Sequence, residues 1–152
     1  MGWSTKDPLG GGNYPTDSTN FNNSDTNNFK LSAGVGSIRG TGNTYYIKFY
    51  IKVTKFSGSS APDPLDVTYK LTIGGTDYTY PWNHPGTGTF TVYYSGTGGS
   101  SDSALSYSWT ATIHKNPSGS TSTSGSASIP RISTAYNIVY NGNNATGGST
   151  AA

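Results

Sequence analysis

The chain has 152 residues, the length of one domain, and Gly, Ser, Thr and Asn supply 78 of them. Glu and Gln are absent, Leu occurs five times, and charged residues make up 11%, against a norm of about 25%. With so few strong helix formers, a helical bundle is excluded, and so is an α/β fold that needs crossover helices. Twelve Tyr, five Phe and three Trp provide the bulk instead, and aromatic, Thr-rich stretches suit strands.

A domain of this size can build a core without staples, and none are on offer, because Cys is absent. The formal net charge is +2 and the basic residues are scattered singly, so no basic stripe marks a nucleic-acid partner. No apolar run approaches the length of a membrane helix. The opening MGWSTKDPLGGG has no apolar h-region, so no secretory signal is expected.

Residues 1–28 hold Gly10-Gly11-Gly12 and the tract Asn20-Phe21-Asn22-Asn23. Their apolar residues (Trp3, Leu9, Tyr14, Phe21) have no period, so the segment reads as an N-terminal arm outside the core. From Phe29 the pattern changes: Phe29, Leu31, Ala33 and Val35 alternate as a strand. The strongest segment is Tyr45–Val53. Tyr45, Ile47, Phe49, Ile51 and Val53 take one face, and Tyr46, Lys48, Tyr50 and Lys52 the other.

Residues 57–64 read as a loop. Val67, Tyr69, Leu71 and Ile73 then alternate up to Gly74-Gly75, a two-residue hairpin signal that pairs residue 73 with 76. The return strand is expected to end at Pro81, which cannot donate to a ladder. Phe90, Val92 and Tyr94 form the next strand, and Ser95–Ser103 a loop. Leu105 to Ile113 is a long alternating strand with Trp109 at its centre. Ala127 and Ile129 suggest a final strand that ends at Pro130.

Seven strands between residues 29 and 134, separated by turn signals, predict an all-β, immunoglobulin-like antiparallel β-sandwich; a jelly roll or small barrel is the alternative. Ile47, Phe49, Ile51, Leu71, Ile73, Val92, Tyr107, Trp109 and Ile113 are its expected core. Residues 135–152 read as one short strand, Ala135–Tyr140, and a flexible tail.

The closing run Ser126-Ala127-Ser128-Ile129-Pro130-Arg131-Ile132-Ser133 resembles the end of immunoglobulin-like domains in minor structural proteins of siphovirus tails. The hairpin from Tyr69 to Tyr78 is similar to that family's strand–Gly–strand core. Where such domains often carry a His-Asn-x-Asp-Gly turn, this chain has Tyr94-Ser95-Gly96-Thr97-Gly98-Gly99. Tyr136–Gly142 resembles the first strand of small β-repeats in bacterial surface and phage tail proteins. The resemblance implies a structural phage virion protein (tail, fibre or surface projection) that self-assembles, serves host attachment and resides in the virion after assembly in the host cytoplasm. The alternative location is extracellular or on a cell surface.

Chemistry is sparse. All seven acidic residues are Asp, and neither a carboxylate pair at glycosidase spacing nor a Gly-x-Ser-x-Gly elbow is evident. His84 and His114 lack metal-ligand spacing. No catalytic residue, cofactor or metal ligand is therefore expected. Tyr80, Trp82, Asn83 and His84 place rings and polar tips on what reads as a loop, a candidate site for a cell-surface glycan, so a carbohydrate-binding or adhesin module is the alternative function. Trp3, Tyr14, Phe21, Tyr46, Tyr50, Tyr136, Ile138 and Tyr140 are candidate assembly contacts, for copies of the chain or other virion proteins.

Overall fold

Alternation of apolar and polar residues generates nearly all the regular structure. The computed structural model describes residues 2–12, 14, 20–25, 29–55, 65–84, 88–99, 103–114 and 120–131, which contain no helix. Nine strands run in chain order: β1 (Gly2–Ser4), β2 (Asn20–Asp25), β3 (Phe29–Arg39), β4 (Thr44–Lys55), β5 (Leu65–Ile73), β6 (Thr76–His84), β7 (Gly88–Thr97), β8 (Leu105–His114) and β9 (Ser120–Ile129). One sheet, A, has the order β1-β7-β4-β3-β2, and the other, B, the order β6-β5-β8-β9. Every pairing is antiparallel.

Strands β3–β9 account for the seven-stranded sandwich. The hairpins β3/β4, β5/β6 and β8/β9 each stay within a sheet, while the chain changes sheets between β4 and β5, β6 and β7, and β7 and β8. This is an immunoglobulin-like Greek-key order. All nine residues of the predicted core are buried, within a larger cluster that also holds Leu31, Val35, Tyr69 and Ile129. Phe49 of sheet A stands edge-on to both Tyr69 and Trp109 of sheet B, at 5.2 and 5.5 Å between ring centroids.

Three boundaries differ from the sequence reading. Pro81 does not end β6, which continues to His84. β6 is an edge of sheet B, so the missing N–H interrupts no second ladder. β7 extends to Thr97, into the segment read as a loop. β9 begins at Ser120, well before Ala127 and in a run of Ser and Thr, because β8 offers a complete ladder to pair with. The small residues of β9 then fit the large ones of β8. Gly125 sits opposite Trp109 and Ala127 opposite Tyr107.

The N-terminal segment also departs from an arm lying outside the sandwich. β1 pairs with β7 through Trp3↔Tyr94, and β2 pairs with β3 through Phe21↔Gly34. The two strands therefore cover opposite edges of sheet A, where unpaired N–H and C=O groups would otherwise lie open. Backbone pairing supplies what the unpatterned side chains do not. The strand proposed at residues 135–140 and the tail beyond it lie outside the described residues.

Candidate functional site

Two features of the N-terminal segment and one of sheet B gather the chemistry-bearing side chains. The first is a turn built by Asp7. Its carboxylate accepts backbone N–H bonds from Leu9 (2.8 Å), Gly11 (3.0 Å) and Gly12 (2.9 Å), and the Tyr14 hydroxyl donates to it at 2.8 Å. Gly10 and Gly11 adopt positive φ to close the turn. Burial alone would raise the Asp7 pKa, but these hydrogen bonds prevail and hold it below the usual carboxylate value. Tyr14 is pushed well above the ordinary phenol range by burial and by the Asp7 carboxylate. Its ring lies 6.0 Å from that of Tyr93 on the outer face of sheet A.

The second feature is an aromatic seam between edge strand β6 of sheet B and strands β7 and β1 of sheet A. Tyr78, Tyr80 and Trp82 share one phase of β6 and pack, half-buried, against the core. Trp3 sits between Tyr80 (5.7 Å) and Tyr94 (5.0 Å). Trp82 leans on Tyr80 (6.0 Å), Phe90 (5.9 Å) and Tyr69 (6.3 Å). Burial, with Tyr45 and Tyr78 beside it, pushes the Tyr94 hydroxyl up to about 12.

The third is a cleft of about 390 Å³ lined by Asp66, Val67, Thr68, Pro81, Trp82 and His114. Register creates it: Asp66 is paired with His114 across β5 and β8, and Val67 with Trp82 across β5 and β6. Asp66 and His114 are exposed, Thr68 and Trp82 half-buried.

The four candidate glycan contacts are thus on a strand, not on a loop. Tyr80 and Trp82 are in phase and close together, whereas Asn83 is one position out of phase, paired with Asp66. The side chains of Asn83 and His84 lie outside the described ones. Among the candidate assembly contacts, Trp3 meets Tyr80, Tyr14 reaches the outer face of sheet A, and Tyr46 and Tyr50 lie half-buried on that face. Lys48 lies 6.0 Å from the Tyr50 ring centroid. Phe21 is placed by its backbone in β2, and Tyr136, Ile138 and Tyr140 lie outside the described residues.

Sequence reasoning missed two groupings. Asp66 and His114 are 48 positions apart in the chain, and only the β5–β8 pairing joins them; no local signal announces it. Arg39 is the other. It is 8% exposed and donates to the carbonyls of Gly98 (2.7 Å), Ser103 (3.1 Å) and Asn43 (3.3 Å), tying the β3–β4 and β7–β8 connections together at one end of the sandwich. Among the described residues, no group of three or more His, Cys, Asp or Glu side chains is placed to hold a metal. The chain matches no protein-family model, no curated protein and no solved structure with which it was compared.

Proposed function

We propose that this chain is a non-enzymatic structural protein of a phage virion, in a tail, fibre or surface projection, that works by assembling with copies of itself or with other virion proteins. The observation that carries this reading is at the end of β9. The Ile-Pro-Arg run that resembles siphovirus tail domains closes a strand whose Ile129 is fully buried, within the immunoglobulin-like strand order that the resemblance implies. Broad outer sheet faces and aromatic side chains at their margins are suited to contacts between subunits.

Light scattering on the full chain over a range of concentrations, with immunogold microscopy of particles from the source material, tests the reading. A defined oligomer and label confined to one part of the particle are the expected results. A chain that stays monomeric and labels no particle overturns it.

A further inference from the structure

We propose that the uncovered half of β7, Gly88–Val92, is an assembly edge to which a second copy adds the same segment as an antiparallel strand. The proposal rests on the self-assembly proposed above and gives it a surface. Hydrogen-bond phase identifies the open groups. In an antiparallel ladder, directly opposed residues alternate between bonded and non-bonded pairs. Gly98 donates its N–H to the Asn43 carbonyl at 2.9 Å, one step beyond the Thr44↔Thr97 pair. The even-numbered residues of β7 therefore bond to β4, while Thr89, Thr91, Tyr93 and Ser95 turn their N–H and C=O groups outward. Tyr93 and Ser95 meet Ser4 and Gly2 of β1. Thr89 and Thr91 meet no strand among the described residues.

Other edges are closed or broken. Beyond Ser4, the Lys6 N–H donates back to Ser4 Oγ at 3.0 Å, and the Asp7 turn leads to Tyr14 on the outer face of sheet A, away from the rest of β7. On the same side of the sandwich, Ile73↔Thr76 closes a two-residue hairpin as a bonded pair, so β6 directs the backbone of Asp77, Thr79, Pro81 and Asn83 outward. Pro81 has no N–H, and that row is broken. On the far side, β2 packs against β9.

Sequence and symmetry select the occupant. Thr89-Phe90-Thr91-Val92-Tyr93-Tyr94 is an unbroken run of β-branched and aromatic residues with neither charge nor Pro, the composition that pairs with copies of itself. About a twofold axis at Phe90, Thr89 stands opposite the partner's Thr91 and Thr91 opposite the partner's Thr89. Both are bonded pairs, made from the outward groups of each copy. Such an interface uses one patch twice and closes at two copies. Phe90 then faces the partner's Phe90 in a non-bonded pair, where side chains approach most closely. Its ring, half-buried beside Trp82 at 5.9 Å, gains further cover. The partner's segment has the length of the gap, because β1 stops at Ser4, opposite Tyr93.

The test is sedimentation and amide hydrogen exchange on the full chain over a range of concentrations. A dimer is expected, in which the Thr89 and Thr91 amides gain protection as concentration rises while that of Thr79, on the outer side of β6, does not. Thr91→Pro removes an outward N–H and no bond to β4, and Thr89→Lys places a charge on the edge at an exposed position. Each should raise the dissociation constant about tenfold or more. Because the chain has no Cys, oxidation of Phe90→Cys should cross-link two copies, and oxidation of Thr79→Cys should not. If Thr91→Pro fails to fold, Thr89→Lys and the exchange profile still decide. An oligomer whose Thr89 and Thr91 amides stay unprotected, or that Thr89→Lys leaves unchanged, overturns the edge and leaves the assembly function standing. A chain that is monomeric at millimolar concentration also overturns the edge. Immunogold label on particles then distinguishes assembly with other virion proteins from loss of the assembly function itself.

Discussion

Trp109 shows how burial outweighs an imperfect polar environment. Its side chain is 1% exposed and packs on Phe49, yet its indole N–H is buried without a hydrogen-bond partner. An unmet donor costs about 1–3 kcal/mol, less than the roughly 3–5 kcal/mol lost when a buried Trp is truncated to Ala. Trp109→Ala is therefore expected to lower stability by about 3–5 kcal/mol in a urea melt. Trp109→Phe, which removes the unmet donor with part of the volume, should cost clearly less. At Asp7 the polar term dominates instead. A carboxylate whose folded pKa is depressed stabilises the fold above its unfolded pKa of about 3.9, and that contribution is lost as pH falls through the folded value. Asp7→Asn should thus flatten the decline in stability below about pH 4 and weaken the 7–14 turn at neutral pH, as amide exchange at Leu9, Gly11 and Gly12 would report.

Among the elements, the short β1 rests on one side chain and three backbone pairs. Trp3 fills the space between Tyr80 and Tyr94 at the seam between the sheets. Trp3→Ala should cost about 1–2 kcal/mol, less than a full core deletion because Trp3 is only half-buried. Loss of β1 also uncovers the edge of β7, so the variant should self-associate more readily in light scattering than the parent. The opposite seam depends on a polar relay. Tyr107 donates to Ser37 Oγ at 3.4 Å, and Ser37 donates across the sheets to the Ser128 carbonyl at 3.0 Å. Ser37→Ala leaves the Tyr107 hydroxyl and the half-buried Ser128 carbonyl without those partners and should cost about 1–3 kcal/mol in the same urea melt.

For the molecule as a whole, tyrosine burial sets the behaviour at high pH. Among the described residues, seven of ten tyrosines (Tyr14, Tyr45, Tyr50, Tyr69, Tyr93, Tyr94 and Tyr107) have raised pKa values, each with burial as the largest cause. Above the unfolded phenol pKa of about 10, the unfolded chain binds fewer protons than the folded one. Stability should therefore be constant just below pH 10 and fall as pH rises beyond it. Phenolate absorbance from these buried tyrosines should appear together with loss of the near-ultraviolet circular dichroism. A single titration of all tyrosines near pH 10 in the folded protein would contradict this packing.

By itself, the sequence determined the all-β class, seven of the strands, the Gly74-Gly75 hairpin with its Ile73↔Thr76 pair, and the central core. Each is written locally, in a two-residue period or a turn that needs positive φ, so no distant partner is required to read it. The tertiary structure decided the places of β1 and β2, the full length of β9 and the continuation of β6 through Pro81. Those strands owe their state to a neighbouring ladder, and the Ser-rich or unpatterned side chains carry no record of it. It also decided the candidate site. Trp82 stands out in the sequence as a ring beside polar residues. Asp66 and His114, in the opposite strand phase from that ring, meet only because β5 lies between β6 and β8, a pairing set by how two sheets bury their apolar faces rather than by any spacing along the chain.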